Sequence, residues 1–364
     1  MFDNLKGKTV VLTGHTGFKG AWLALWLTQI GAKVHGISLD VPKGQESLHA
    51  LLGKTAYTES HIQDIRDYKA TRAIIHKVKP DCVFHLAAQA LVRHSYADPL
   101  ESFGSNIMGT AHVLEACRDL ETPPAIICVT TDKVYDNVDW VWPYRESDPI
   151  CGKDPYSASK AGAEMVAASY LRSLYKLKGE VRPRLAIVRG GNVIGGGDWA
   201  EDRIIPDAVR SAMAGESLRI RNPDAVRPWQ HVLELCHGYM TLADKLLSDT
   251  PDHYEGPWNF GPDPITILTV FEVVQRLQDN WTHTPLKVKT DRAPTLPEAK
   301  YLTLDISKAM RELRWLPGIT VEESISLTAQ WYADYMQDPK KAVQTTHDQL
   351  AFYIERRTQQ INAA

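Results

Sequence analysis

The feature that most constrains the fold is a glycine-rich segment, Thr13–Gly20, between an apolar run and a helical stretch. Its glycines, Gly14, Gly17 and Gly20, are three residues apart. Such spacing suits a tight turn at the first glycine, close approach of a pyrophosphate at the second and close helix packing at the third. The N–H groups that begin the helix would face the phosphates. Because a strand precedes the turn and a helix follows it, we expect a dinucleotide-binding turn.

Short β-branched runs alternate with helical stretches over the first 190 residues, which predicts βαβ units. The expected strands are Thr9–Thr13, Lys33–Leu39, Cys82–Leu86, Ala125–Val129 and Arg184–Val188. The expected helices are Gly17–Ile30, Asp67–Val78, Glu101–Asp119, Tyr156–Tyr175 and about 231–247. This pattern predicts an α/β fold, a Rossmann-like doubly wound parallel sheet with a smaller α+β substrate-binding lobe. We expect the nucleotide-binding domain at 1–190 plus about 230–260, the lobe at about 191–229 and 262–340, and a C-terminal tail at 341–364.

Charge and cysteine usage exclude several functions. The net charge is −3, so no basic field is available for nucleic acid or an anionic membrane. Five cysteines, an odd number and none three apart, indicate free thiols rather than disulfides or a zinc site. No apolar run is long enough to span a bilayer, and the first residues lack a secretory signal pattern. We therefore expect a soluble cytoplasmic protein with no metal, nucleic-acid or membrane partner.

Two acidic positions could contact the adenosine half of a dinucleotide. Asp40 follows Gly20 by 20 residues, which is the sequence separation expected for the acidic residue that contacts the adenosine ribose. Its carboxylate would accept hydrogen bonds from the ribose hydroxyls and would repel a 2′-phosphate. This favours NAD over NADP. Ser38 could occupy the end of that strand instead, so the ribose contact stays open between the two. Asp64 and Ile65 end a further strand candidate, between Lys33–Leu39 and Cys82–Leu86, and could meet the adenine.

A second motif places a tyrosine and a lysine on one face of a helix. Tyr156 and Lys160 are four residues apart. A cationic lysine beside a phenol favours the phenolate and is expected to lower the pKa of the tyrosine. Such a tyrosine can remove the proton of a sugar hydroxyl during hydride transfer. The pair is common by chance, but together with the glycine turn it indicates a catalytic helix.

Thr13–Gly20, His85–Gln89, Asn106 and the Tyr156/Lys160 pair together resemble the extended short-chain dehydrogenase/reductase superfamily, over nearly the whole chain. The resemblance implies a homodimer or homotetramer and a bound NAD. It implies that the cofactor contacts seventeen residues: Gly14, Thr16, Gly17, Phe18, Lys19, Gly20, Asp40, Asp64, Ile65, Leu86, Ala87, Ala88, Gln89, Asn106, Thr130, Tyr156 and Lys160.

The segment Thr130–Lys133 is similar to that of the sugar-nucleotide 4,6-dehydratases within this superfamily. Those enzymes carry Thr/Ser-Asp-Glu, and this chain has Lys133 where the glutamate stands. The Asp-Lys form resembles the members that act on CDP-glucose, as do Gly191–Trp199 and Arg227–Val232. The resemblance implies CDP-glucose as substrate, and the cytosine preference rests on it alone. Such enzymes supply deoxy- and dideoxyhexoses for surface polysaccharides such as O-antigen.

The resemblance also implies an order of chemical steps. A hydride leaves C4 for NAD while Tyr156 takes the 4-hydroxyl proton and Thr131 holds the same oxygen. The new ketone makes the C5 hydrogen acidic, so a base can remove it while Asp132 protonates the departing 6-hydroxyl. The hydride then returns to C6. Lys133 is our candidate for the C5 base, which requires a pKa well below its free value of about 10.4. Otherwise Lys133 only stabilises the enolate and another group, or Asp132 itself, moves the proton.

The smaller lobe is expected to bind the nucleotide diphosphate through Asn192 and through arginines, whose planar forks match phosphate geometry. The candidate substrate-binding residues are Asn192, Arg203, Arg219, Arg227 and Tyr301. Two competing interpretations remain. A dehydratase for dTDP- or GDP-sugars, or a 4-epimerase or reductase, could use the same scaffold, although Asp132 and Lys133 argue against an epimerase. A non-catalytic NAD-sensing module would not need Tyr156 and Lys160.

Overall fold

A computed structural model describes residues 1–263, 266–282, 285–290 and 299–363. The strands are β1 (Thr9–Thr13), β2 (Lys33–Ser38), β3 (Glu59–Ile62), β4 (Cys82–His85), β5 (Ala125–Val129), β6 (Arg184–Gly190), β7 (Val193–Ile194), β8 (Ser217–Ile220), β9 (Val226–Arg227), β10 (Gln230–His231), β11 (Gly256–Phe260), β12 (Leu268–Thr269) and β13 (Lys287–Thr290).

Over the first 190 residues helices separate the strands, as the sequence pattern predicts. The helices are α1 (Phe18–Gln29), α2 (Leu48–Leu52), α3 (Tyr68–Val78), α4 (Val92–Ala97), α5 (Pro99–Phe103), α6 (Gly109–Arg118), α7 (Pro155–Ser169), α8 (Ile204–Ala214), α9 (Val232–Leu246), α10 (Val270–Asp279), α11 (Ser307–Glu312), α12 (Val321–Gln337) and α13 (Pro339–Ala363).

Seven of the strands form one sheet in the order β11-β6-β5-β4-β1-β2-β3. Every pairing in this sheet is parallel. The order reverses at β1, whose neighbours are β2 on one side and β4 on the other. In open parallel sheets the carboxyl ends diverge at such a reversal and leave a ligand-binding crevice. The predicted Rossmann-like sheet is therefore confirmed, and its geometry indicates where the site lies.

Apolar side chains cover both faces of the sheet. On one face, α1 buries Trp22 and Trp26 in a core that also includes much of α9 and α12. On the other face, a second core contains Val113 and Leu114 of α6 together with Tyr175. Burial on both faces explains why β1, β4 and β5 read as continuous apolar runs rather than as alternating ones.

The stretch 101–119, expected as one helix, is divided in the structure. Helix α5 ends at Phe103, a π-helical turn spans Gly104–Met108, and α6 begins at Gly109. A Cβ at Gly109 would lie only 2.5 Å from Cδ1 of Ile65, so the glycine permits close packing here. The π turn carries Asn106, which bears on the site described below.

The segments assigned to the smaller lobe pair with one another. Strand β8 pairs with β13 in parallel, and β9 pairs with β12 antiparallel, which joins the stretch after residue 190 to the stretch after residue 262. Part of the lobe predicted at 262–340 lies outside the described residues. The domain boundaries themselves remain a prediction.

The C-terminal segment differs from the expected tail. Residues 339–363 form α13, which packs against α12 and buries Leu350 and Tyr353. The Tyr353 hydroxyl donates to Oε2 of Glu234 on α9, at 2.7 Å. The helix is polar on average and buries few apolar residues, so the sequence pattern did not predict it. Within the described ranges, none of the helices combines the length and the apolar character that crossing a membrane requires.

Candidate active site

A cleft of about 320 Å³ opens at the carboxyl ends of the central strands. Residues from the start of α1, from the segments after β4 and β5, and from α7 line one side. The glycine-rich segment after β6 and residues around α8 line the other. The structure brings fourteen of the predicted site residues to this cleft: Phe18, Lys19, Leu86, Ala88, Thr130, Thr131, Asp132, Lys133, Tyr156, Lys160, Asn192, Arg203, Arg219 and Arg227.

The glycine turn forms a backbone cradle at the start of α1. Gly14 has φ +79°, and a Cβ there would lie 2.8 Å from the Ala87 nitrogen. A Cβ at Gly20 would lie 2.1 Å from the carbonyl oxygen of Gly14. Gly17 is the N-cap of α1 and no side chain caps the helix, so the N–H groups of its first turn face outward. These are the features that a bound pyrophosphate requires.

The end of β2 leaves the ribose contact undecided. The Ser38 hydroxyl lies 2.7 Å from the Thr16 hydroxyl, which also donates to the Leu39 carbonyl at 3.0 Å. Asp40 is exposed two residues beyond the strand, and its Oδ1 accepts from the Val41 N–H at 2.8 Å. Ser38 therefore occupies the strand end and Asp40 the solvent side of the same loop.

The predicted adenine contacts lie beyond β3. The Asp64 carboxylate accepts from the guanidinium of Arg66 at 2.6 and 2.8 Å, and this hydrogen bonding lowers the pKa of Asp64. Ile65 is buried against Gly109. Neither residue lines the cleft described above, and their contact with the adenine stays a prediction.

Asn106 and Gln89 contact each other rather than the cleft. Asn106 Oδ1 accepts from the Gln89 N–H at 2.8 Å, and Nδ2 donates to the Gln89 carbonyl at 2.9 Å. Nδ2 also donates to the Ser159 hydroxyl on α7 at 2.7 Å. These bonds use both ends of the buried amide. Asn106 thus joins the loop after β4 to α7, and its expected contact with the cofactor stays a prediction.

Helix α7 presents Tyr156 and Lys160 on its first turns. Asp154 caps the helix by accepting from the Ser157 N–H at 3.0 Å, and Pro155 occupies the first position. Lys160 Nζ donates to the Val129 carbonyl at 3.0 Å, and burial lowers the pKa of Lys160 to about 8. Both side chains face the cleft.

The expected depression of the tyrosine pKa is not found. Burial raises the pKa of Tyr156 to about 12, and the Thr131 hydroxyl, rather than Lys160, is the main group that opposes this shift. The reason is geometric: the Lys160 ammonium is bonded to the Val129 carbonyl. Removing the fully buried phenol from water therefore outweighs the charge of the lysine.

The segment after β5 carries a buried acid. Asp132 is 2% exposed, and its Oδ1 accepts from the Thr131 hydroxyl at 3.0 Å. Its Oδ2 is buried and has no hydrogen-bond partner among the described residues. Burial raises the pKa of Asp132, although Lys133 and Thr131 partly offset the shift. A carboxyl in this environment holds its proton more firmly than an exposed aspartate and is suited to act as an acid.

Behind this segment, a buried network joins β5, β6 and α7. The Thr130 hydroxyl donates to Glu164 Oε2 and to the Val188 carbonyl, both at 3.1 Å. Arg189 Nε donates to Glu164 Oε1 at 2.9 Å. Thr130 lines the cleft, but its hydroxyl is engaged in this network, which fixes the strand end from which Thr131 and Asp132 project.

Four of the five predicted substrate-binding residues line the far side of the cleft. Arg203 is bound to Asp198, whose oxygens accept from Nη1 at 2.9 and 3.1 Å. Tyr301 lies outside the cleft, because its main chain is bonded to Asn137 and Asp139. Tyr301 is thereby placed apart from the other four.

Several charged residues of the cleft were not anticipated. Arg93 and Arg221 both approach Asp202 Oδ1, at 3.4 and 3.0 Å. Lys19 was expected only to contact the cofactor, yet burial, together with Lys160 and Arg203, lowers its pKa to about 8. No local motif marks these groups, since they meet only through the fold.

The parallel sheet, the glycine cradle and the paired Tyr156 and Lys160 define a nucleotide-sugar-modifying member of the extended short-chain dehydrogenase/reductase superfamily. More specifically, the chain belongs to the family described as GDP-mannose 4,6 dehydratase, whose model matches residues 11–328.

Individual relatives agree with this assignment. The chain is 44% identical to a CDP-glucose 4,6-dehydratase of Salmonella typhimurium over 334 residues, covering 91% of this chain and 92% of the relative. It is 27% identical to a dTDP-glucose 4,6-dehydratase of Xanthomonas campestris pv. campestris, covering 89% and 93%. Among solved structures, an NAD-dependent NDP-hexosamine 5,6-dehydratase involved in tunicamycin biosynthesis superposes with a TM-score of 0.73 at 26% identity, covering 90% and 98%.

Proposed function

We propose that this protein converts CDP-D-glucose into CDP-4-dehydro-6-deoxy-D-glucose and water with a tightly bound NAD. The observation that carries the proposal is the buried Asp132 carboxyl beside the Thr131 hydroxyl, in a cleft that also contains Tyr156 and Lys160. An epimerase transfers a hydride but expels no water, so it has no need of a buried acid. The 44% identity to a CDP-glucose 4,6-dehydratase supports the same reaction and the same nucleotide.

The glycine cradle fits a dinucleotide. A Cβ at Gly14 or Gly20 would collide with backbone, so this turn is built for a close approach. We assign the pyrophosphate to the N–H groups around Gly17 and the nicotinamide ribose to Tyr156 and Lys160. When bound, NAD supplies a reversible acceptor for one hydride. Ser38 or Asp40 would hold the adenosine ribose, with Asp64 and Ile65 near the adenine.

Tyr156 is proposed to remove the proton of the 4-hydroxyl, with Thr131 bonding the same oxygen. The Thr131 hydroxyl opposes the rise in the pKa of Tyr156, so the two groups are near enough to share a substrate oxygen. The phenol lies in a buried environment, where a positioned cation has a large effect on its ionisation. In this structure the Thr131 hydroxyl rather than Lys160 opposes the rise in the Tyr156 pKa, so we propose that Lys160 acts by holding the nicotinamide ribose.

Once C4 is a ketone, the C5 hydrogen is acidic. Lys133 is proposed to remove it, while Asp132 gives its proton to the departing 6-hydroxyl so that water leaves. The hydride then reaches C6 and a proton returns to C5, so the cofactor is unchanged overall. The raised pKa of Asp132 supports its role as the acid.

We propose that Asn192, Arg219 and Arg227 hold the diphosphate, and that Arg203 contributes from its pair with Asp198. Three of these side chains are arginines that line the cleft. The nucleotide-sugar would therefore lie across the cleft, with its hexose against Thr131–Lys133. We further propose a cytoplasmic homodimer or homotetramer that supplies deoxy- and dideoxyhexoses for surface polysaccharides such as O-antigen.

The proposal is tested by incubating the purified protein with CDP-glucose, dTDP-glucose and GDP-mannose separately. We expect a 4-keto-6-deoxy product, seen by its absorbance in alkali and by mass loss of one water, from CDP-glucose. If only dTDP-glucose or GDP-mannose gave this product, the dehydratase reaction would stand but the assignment of CDP as the nucleotide would be wrong. A 4-epimer with no loss of water would overturn the dehydratase assignment.

A further inference from the structure

We propose a zinc-binding site formed by His35, Glu59 and His61 at the edge of the sheet, outside the catalytic cleft. These three side chains offer two imidazole nitrogens and one carboxylate oxygen, and their ligating atoms lie within 4.8 Å of one another. Imidazole and carboxylate are ligands that Zn²⁺ takes in proteins. The cysteine pattern led us to expect no metal, and these three residues come from two separate strands, so no local spacing marks them.

Strand register brings the three side chains to one face. His35 on β2 is directly opposite Glu59 on β3, and Ile37 is opposite His61. Since side chains alternate along a strand, Glu59 and His61 point to the same side as His35. Ser60, between them, points to the other side, where its hydroxyl lies 2.7 Å from Nε2 of His15. The cluster is therefore fixed by the pairing of two strands.

Two ring nitrogens converge on one carboxylate oxygen. His35 Nδ1 lies 3.4 Å from Glu59 Oε2, and His61 Nε2 lies 3.6 Å from the same atom. A tetrahedral zinc ion with bonds of about 2.1 Å would separate its ligands by about 3.4 Å. The centroids of the two imidazole rings lie 6.4 Å apart, and the ring planes are inclined by 14°.

Both nitrogens are buried, and in the described part of the chain their approach to Glu59 Oε2 does not form a hydrogen bond of good geometry. The side chains of His35 and His61 are only 17% and 15% exposed. Leaving two buried nitrogens unpaired is unfavourable, and an ion that accepts both lone pairs removes that cost. Glu59 is 46% exposed, so a fourth ligand such as water can reach the ion from solvent.

The position suggests what an ion would do. Strand β3 is the edge of the sheet and pairs only with β2 within it. An ion that joins the two strands would stabilise this edge and the loop that follows it, which carries Asp64. Lys77 on α3 lies 3.9 Å from the other Glu59 oxygen, Oε1, and leaves Oε2 directed at the histidines.

The test uses the full chain, freed of any polyhistidine tag and of metal, titrated calorimetrically with ZnCl₂. We expect one zinc ion per chain, with at least tenfold weaker binding in His35→Gln and in His61→Gln. His253→Gln is the matched control, because His253 forms an exposed pair with Glu312 at 3.7 Å and belongs to no cluster of three possible metal ligands among the described residues. This control should bind zinc as the wild type does.

Co²⁺ provides an independent readout, since intense visible absorption of four-coordinate Co²⁺ should appear in the wild type and not in His61→Gln. Zinc should also raise the melting temperature of the wild type but not of the variants. If a histidine variant fails to fold, Glu59→Gln, at a half-exposed position, replaces it. A wild type that takes up no zinc, or variants that bind it equally well, would overturn the proposal. Because no substrate is added, the result is independent of the proposed enzymatic activity.

Discussion

The Thr131 hydroxyl donates to Oδ1 of Asp132 at 3.0 Å, and this leaves Oδ2 buried in the cleft without a hydrogen-bond partner among the described residues. The bond fixes the plane of the carboxyl group, which lines the cleft. In the proposed function Asp132 is the acid, and the proton of this carboxyl goes to the departing 6-hydroxyl. The pair would then connect the fold at the end of β5 with the proposed elimination step.

Asp132→Asn should lower kcat by about 10²- to 10⁴-fold, the usual contribution of a positioned acid. Asparagine keeps the size of the side chain and the bond from Thr131 but cannot give up a proton. The rate of formation of the 4-keto product measures the effect. Asp136→Asn is the matched control, because Asp136 is 44% exposed and lies in the same segment. A decrease of less than tenfold in Asp132→Asn would remove this residue from the elimination.

The raised pKa of Asp132 leads us to expect that kcat depends on pH. Burial raises the pKa of Asp132, so the acid form persists to a higher pH than it would for an exposed aspartate. The reaction needs this acid form, so kcat should fall as the pH rises through the raised pKa. Asp132→Asn should lack that decrease in its residual rate. Identical profiles for the two proteins would show that another group causes the alkaline loss.

Lys133→Ala should abolish the entry of solvent deuterium at C5. In D₂O the wild type should place one deuterium at C5 of the product, because the proton removed there is replaced from solvent. Without the base, C5 keeps its hydrogen, while the first oxidation at C4 remains visible as absorbance of reduced nicotinamide. Lys178→Ala, which alters a surface lysine paired with Asp119, is the control. Full turnover by Lys133→Ala would leave Lys133 without a proton-transfer role.

Gly20→Ala should destabilise the fold and weaken NAD binding. The added Cβ would lie 2.1 Å from the Gly14 carbonyl oxygen, so the turn must move, at a cost of about 1–3 kcal/mol or more. Gly104→Ala is the control, because its Cβ would meet only Arg66 Cδ, at 3.7 Å. Thermal unfolding and fluorescence titration with NAD measure the two effects. Equal melting temperatures for the two variants would contradict the close packing of this turn.

The C-terminal helix makes a separate prediction about stability. Tyr353→Phe removes the hydroxyl that donates to the buried carboxyl of Glu234, at a cost of about 1–3 kcal/mol in the free energy of unfolding. Tyr254→Phe is the control, because the ring of Tyr254 stacks on Trp258 and faces Lys245. Denaturant unfolding should separate the two variants. An unchanged free energy for Tyr353→Phe would mean that α13 is held by apolar contacts alone.

Local patterns account for most of what the sequence could predict. The strand Thr9–Thr13, the glycine turn and the spacing of Tyr156 and Lys160 are features of neighbouring residues, and the parallel sheet they predict is confirmed. The raised pKa of Tyr156 could not be predicted from the sequence, because the burial that causes it depends on the whole cleft rather than on one helical turn.

Contacts between distant segments could not be predicted. Asn106 lies in a π-helical turn and forms hydrogen bonds with Gln89 and Ser159. No residue pattern in the sequence predicts that turn. The same holds for the approach of His35 to Glu59, which depends on the register of two parallel strands. The polar C-terminal segment was expected as a tail, since the few buried residues of α13 are spread thinly along it.

The most direct test of the proposed reaction follows the hydrogen at C4 of the substrate. CDP-glucose carrying deuterium at C4 is converted by the purified protein in ordinary water, and the product is examined by NMR and mass spectrometry. Because the hydride returns to the molecule that it left, we expect the deuterium on the C6 methyl group of the same molecule. In a mixture of labelled and unlabelled substrate, no deuterium should reach the unlabelled molecules. Deuterium lost to solvent, or transferred between molecules, would contradict the proposed reaction.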